Sequence, residues 1–162
     1  MERRIAGVDT SCLIGLAQVQ LVSLPLQLYT EVMLPPAVHA EYGDLPAGYV
    51  ARSPRDRTLV QSLCLQLGCG EAEVIALGLE LVQGGEWCEV ILDDLQARQV
   101  ALDLNLHVVG TIGLLVRAKQ GGYIDSVRTV LEQLRASGFY CSAMLYRKAL
   151  ELAKEVDPED VF

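Results

Sequence analysis

The chain is poor in the residues that build zinc sites and catalytic triads. It holds two histidines, His39 and His107, and one tryptophan among 162 residues. Its five cysteines (Cys12, Cys64, Cys69, Cys88 and Cys141) include no CxxC pair, so neither a zinc ligand set nor a disulfide framework is indicated. Reduced thiols in the core of a cytoplasmic protein fit better. Arg3 and Arg4 precede only four apolar residues before Asp9, too few for the hydrophobic region of a signal peptide. The apolar stretch from Cys12 to Leu34 is interrupted by Gln18, Gln20, Pro25, Gln27 and Glu31, which excludes a membrane span. No GxGxxG follows the first apolar run, and Gly110-Thr111-Ile112-Gly113 lacks the Walker pattern.

The net charge of −8 at first disfavours a nucleic-acid partner. Its distribution removes that objection. Glu151, Glu155, Asp157, Glu159 and Asp160 crowd the last twelve residues, and Asp9, Glu41, Glu71, Glu73, Asp93 and Asp94 fall at positions where a site would form.

An apolar fraction of 51% supports a packed core. Short apolar runs alternate with amphipathic stretches. Ile5–Val8, Glu31–Leu34, Cys88–Leu92 and Leu106–Val109 read as strands. Helices are expected over residues 12–22, 37–42, 58–67, 71–82, 95–104, 111–119, 126–136 and 142–155. Residues 43–57 read as a surface loop. The pattern predicts an α/β fold: a parallel, twisted sheet of four to five short strands with helices on both faces. One domain over residues 1–156 and an acidic tail over 157–162 complete the expected organisation.

Four acids are expected at the carboxyl edge of that sheet, where sites form in such folds. Asp9 and Asp93 each follow a strand, with Asp94 beside Asp93. Glu41 interrupts an apolar helix face. Glu71 begins the stripe Glu71, Val74, Ile75, Gly78, Leu79, Val82, so periodicity aims it inward and turns Glu73 toward solvent or a neighbouring loop. Each acid alone has a plain explanation as a helix cap or a dipole partner. Together they repel one another, and Mg²⁺ or Mn²⁺ is the natural neutralising partner. Thr10 and Ser11 add hydroxyls.

Val8-Asp9-Thr10-Ser11, Pro36-Ala37-Val38-His39-Ala40-Glu41, Gly70-Glu71-Ala72-Glu73, Leu92-Asp93-Asp94 and Gly110-Thr111-Ile112-Gly113, in this order, resemble a PIN domain over about residues 4 to 120. The likeness is nearest to small prokaryotic PIN-like proteins, and Gly-Glu-Ala-Glu also resembles the acidic helix of flap endonucleases. The resemblance implies a metal-dependent endoribonuclease acting on RNA with Mg²⁺ or Mn²⁺, with Asp9, Glu41, Glu71 and Asp93 or Asp94 as its acids. It also implies the toxin half of a toxin–antitoxin pair, held by a small antitoxin protein. The late amphipathic helices suggest a homodimer. A PIN-like module that binds RNA or protein without cutting is the alternative. A receiver-like phosphoacceptor domain would want a lysine at a late strand end, and none follows Val109.

Overall fold

A computed structural model of the chain describes residues 2–156. Among these residues, β1 (Arg4–Val8), β2 (Glu31–Leu34), β3 (Val50–Ala51), β4 (Trp87–Ile91) and β5 (His107–Val109) form one sheet in the order β3-β2-β1-β4-β5. Every pairing is parallel. The helices are α1 (Thr10–Gln18), α2 (Leu24–Leu28), α3 (Pro36–Tyr42), α4 (Arg57–Leu63), α5 (Cys69–Gln83), α6 (Leu95–Asp103), α7 (Thr111–Gln120), α8 (Val127–Ala136) and α9 (Ala143–Leu152). The expected fold class is therefore the observed one. The expected tail, 157–162, lies outside the described residues.

The central strands are apolar on both sides because both sides are covered. Gly7 of β1 faces Val74 of α5, whereas the neighbouring Ala6 pairs with Glu89, which reaches Arg117 of α7. So α5 packs on one face and α7 on the other. Glu89 is buried in the middle of β4. Arg117 holds it through two N–H donors, one at 3.0 Å, and the Tyr29 hydroxyl donates to the same carboxylate. Burial alone would raise the Glu89 carboxyl, but the hydrogen bonds from Arg117 and Tyr29 outweigh it and hold the group below its ordinary value.

Four expectations need correction. Residues 43–57 are not all loop: Val50 and Ala51 join the sheet edge beside Met33 and Leu34. No helix is expected around Pro25, yet α2 carries it in its first turn, where its missing N–H costs nothing. Cys69 is exposed and Cys64 half-buried, so only Cys12, Cys88 and Cys141 are core cysteines. The stripe on α5 is not a stripe. Gly70, Ala72, Glu73, Val74, Ile75, Ala76, Leu77, Gly78 and Leu81 are all buried, Val82 is exposed, and Glu73 points into the protein. A helix enclosed by β1, β4, α3 and α4 has little free face for periodicity to reveal.

That enclosure needs close contact. A Cβ on Gly78 would lie 2.7 Å from Cγ1 of Val90 in β4. Gly78→Ala is expected to cost about 1–2 kcal/mol net, the overpacking exceeding the roughly 1 kcal/mol that alanine gains in a helix. Urea unfolding checks this, with a lower midpoint and an unchanged slope as the expected result.

Candidate active site

The backbone delivers the acids in sequence. The Asp9 N–H continues the sheet by donating to the Ile91 carbonyl at 3.2 Å, so its side chain leaves at the carboxyl edge. Asp9 occupies the N-cap position of α1, yet its carboxylate makes no capping hydrogen bond. Its side-chain partner is the Ser11 hydroxyl at 3.5 Å. The next residue, Thr10, donates its hydroxyl to Glu41 of α3 at 2.7 Å. Pro35 and Pro36 end β2 and start α3, which sets Glu41 one turn above the same edge.

Gly70, at the second position of α5, is where these acids meet. A Cβ there would stand 3.1 and 3.2 Å from the two carboxylate oxygens of Glu41 and 3.3 Å from Oδ1 of Asp9. Three oxygens thus surround one point that only glycine leaves empty. The point opens into a recess of ≈ 270 Å³ lined by Asp9, Thr10, Ser11, Ile14, Glu41, Gly68, Gly70 and Glu71. The helix expected over 71–82 leaves Gly70 just outside it, so its role was not visible. The available signal was its position, since glycine inside a first helical turn gives up helix stability unless the space is needed.

The other acids take different posts. Glu71 is half-buried, lines the recess, and curls back to accept from the Gly68 N–H at 3.2 Å. Asp93 spends both oxygens on Thr111, on its N–H at 2.8 Å and its hydroxyl at 2.6 Å. Asp94 is the exposed N-cap of α6 and accepts from the Ala97 N–H at 2.9 Å. Glu73, expected to face solvent or a neighbouring loop, is buried; it accepts from the Ala37 N–H at 3.3 Å and pairs with Arg57 at 3.8 Å. It anchors the start of α3 and stands apart from the recess. Arg98, half-buried, donates to the Leu92 carbonyl at 3.1 Å beside Gly110 and Asp93, a cation next to the acidic edge.

Electrostatics mark Asp9 as the most strained member. Burial pushes its carboxyl up to about 6; the Thr10 N–H opposes this, and the like charges of Glu71, Glu41 and Asp93 add to it. Glu71 is also raised, by burial first and then by Asp94 and Glu41, against the Gly68 N–H. Among the described residues, no three His, Cys, Asp or Glu side chains are gathered closely enough to ligate one ion as they stand. The donor chemistry nevertheless fits a hard divalent cation. All the donors are oxygens, the Asp9 and Glu41 carboxylates meet over Gly70 on the wall of the recess, and Asp9 is destabilised by neighbours of its own sign.

Carboxylates thus gather at the carboxyl edge of an all-parallel α/β sheet, around a recess open to solvent. A family model described as a PIN domain, DUF3368, matches residues 5–155. The chain belongs to this PIN-domain family. Its relatives are generally nucleases that use divalent metal ions, and the family points to nucleic acid as the partner. No match was found among curated proteins. No helix among the described residues is long and apolar enough to cross a membrane.

Asp9 yields a pH-dependent prediction. Its folded value of about 6 lies above the ordinary 3.8, so between these values the native state keeps a proton that the unfolded chain releases. Stability therefore falls as pH rises through this window and stays lowered above it. Without metal, Asp9→Asn should be more stable than the parent at pH 7–8 by up to about 3 kcal/mol. The gain should vanish toward pH 4. Denaturant midpoints of both proteins across pH 4–8 test this.

Proposed function

We propose that the protein is a metal-dependent endoribonuclease and the toxin component of a toxin–antitoxin pair. The observation that carries this reading is the meeting of the Asp9 and Glu41 carboxylates over Gly70, whose missing side chain leaves their oxygens open to the recess. These two residues would hold a Mg²⁺ or Mn²⁺ ion, with Asp93 and Asp94 as further acids at the edge. Such an ion supplies an activated water and stabilises charge on a phosphoryl group. Thr10 fixes the Glu41 carboxylate, and Ser11 steadies Asp9. Glu71, tethered only by the Gly68 N–H, is the acid free to orient the attacking water. Ile14, 44% exposed on the recess wall, offers an apolar surface to a base of the RNA.

The second reading is a PIN-like module that binds RNA or protein without cutting. Asp93 favours it, because both of its oxygens are engaged by Thr111 and are not displayed to an ion.

Association with a second copy, and with an antitoxin, is supported by exposed apolar side chains at Tyr140, Met144, Leu145 and Leu152, on and before α9. The free thiols suit a reducing cytoplasm. Light scattering should give twice the chain mass at micromolar concentration; a monomer at every concentration, with no partner captured from the host, would count against this part of the reading.

Cleavage of a mixed RNA pool in Mn²⁺ separates the two readings. Asp9→Asn and Glu41→Gln should each lower the rate by two or more orders of magnitude, about 3 kcal/mol of transition-state stabilisation. Glu71→Gln should also lose cleavage and keep the fold. Glu73→Gln should mainly lower the unfolding midpoint, by about 1–2 kcal/mol, because the Ala37 N–H and Arg57 lose a charged partner. A parent protein that cuts neither RNA nor DNA with any divalent metal would leave the binding module as the reading.

A further inference from the structure

Two thiols outside the acid site are in contact. Sγ of Cys64, at the end of α4, lies 3.4 Å from Sγ of Cys69, the first residue of α5. The four residues between them form a turn that is mostly exposed, Leu65 at 89%, with Leu67 alone turned into the core. Cys69 is exposed and Cys64 half-buried, whereas Cys12, Cys88 and Cys141 are buried. The pair therefore combines two properties that isolated cysteines lack, mutual proximity and access to a small oxidant. Cys64 packs against the edge of the core, whereas Cys69 is exposed and has no packing role that would explain its place beside it.

We propose that Cys64 and Cys69 are a peroxide-oxidisable dithiol that closes reversibly to an intrachain disulfide and braces the turn beneath the acid recess. The chemistry balances with a hydroperoxide as the named oxidant. The Cys69 thiolate attacks the terminal peroxide oxygen, the O–O bond breaks, and water leaves from hydrogen peroxide, giving a sulfenic acid. The Cys64 thiolate then attacks the Cys69 sulfur, the S–S bond forms, the S–O bond breaks, and a second water leaves. Two thiols and one peroxide become one disulfide and two waters. A dithiol reductant reverses the change by exchange.

The bond requires the sulfurs to approach by about 1.4 Å, from contact to the roughly 2.05 Å of a disulfide. Rotation of two side chains and a short solvent-exposed turn can absorb that. Gly68 lies inside the closed loop, and its N–H is the group that tethers Glu71. Gly70 follows Cys69 directly and abuts Glu41 and Asp9. Closing the loop ties the first turn of α5 to the end of α4 and shifts Gly68 and Gly70 relative to the acids. This last step, its effect on cleavage, rests on the nuclease reading; formation of the disulfide does not.

The full-length reduced protein is treated with hydrogen peroxide near neutral pH, unfolded, and alkylated with iodoacetamide. The untreated chain takes five labels, one per cysteine. After oxidation it should take three, the tryptic fragment 58–98 should carry one label, on Cys88, and be about 116 Da lighter than its triply labelled reduced form, and dithiothreitol should restore all five. Cys69→Ser should retain its four labels at the same dose. Five retained labels, sulfinic acid on Cys69 beside a labelled Cys64, or a peroxide-induced covalent dimer would each overturn the proposal. Mn²⁺-dependent cleavage should fall on oxidation and recover on reduction. Full cleavage by the disulfide form would overturn the coupling to the recess. A reduced protein that cuts nothing fails the nuclease reading and leaves the label count to decide the disulfide.

Discussion

The fold depends on how closely α5 approaches the sheet. Two glycines allow it from opposite sides. Gly7 in β1 makes room for Val74 of the helix, and Gly78 in the helix makes room for Val90 of β4. Interiors are packed tightly enough that a single added methyl group at such a contact is felt. With the helix seated this low, its first turn arrives level with the carboxyl ends of the strands. Gly70 then sits against Asp9 and Glu41 rather than above them. The acid recess is in this sense a by-product of packing geometry. A bulkier contact lower down would lift the helix and open the site.

The recess is also a place where stability is given up. Asp9 is buried at the edge of the sheet, without a capping bond and beside acids of its own charge. Such an arrangement persists because the surrounding structure over-determines it: Thr10 holds Glu41, Thr111 holds Asp93, and the Gly68 N–H holds Glu71. Each of these three acids is positioned by a local hydrogen bond, and Asp93 by two.

The sequence was most readable where a physical signal was local. The runs ending at Val8, Leu34, Leu92 and Val109 are continuous, apolar and bounded by Asp, Pro or Gly, so the strands and the edge that gathers Asp9 and Asp93 were visible. The two-residue strand Val50–Ala51 was not, because its existence is decided by the neighbouring backbone of β2 rather than by its own side chains. The short helix at Leu24 was hidden by Pro25, which reads as a breaker unless its place in the first turn is known. The phase of α5 was misread for a different reason. Periodicity distinguishes a buried face from an exposed one, and α5 is enclosed on most sides, so Glu73 is buried and Glu71 half-buried at the recess. What separates them is the local partner: the helix's own Gly68 N–H for Glu71, and the Ala37 N–H of another helix for Glu73. The contact between Cys64 and Cys69 was beyond reach for the same reason, since it depends on the angle at which α4 meets α5.

The Glu89–Arg117 pair beneath the sheet has a consequence for how this chain can evolve. Losing Arg117 strands the buried Glu89 charge, a cost of about 3–5 kcal/mol and a large part of a domain's stability. Losing Glu89 costs less, because Arg117 is 39% exposed and keeps water as a partner. Replacing both together by apolar residues of similar size is close to neutral. The route by which this pair can be exchanged therefore has a direction: Glu89 can go before Arg117, and not after it. The acids at the opposite edge of the sheet can be traded in any order at the expense of activity.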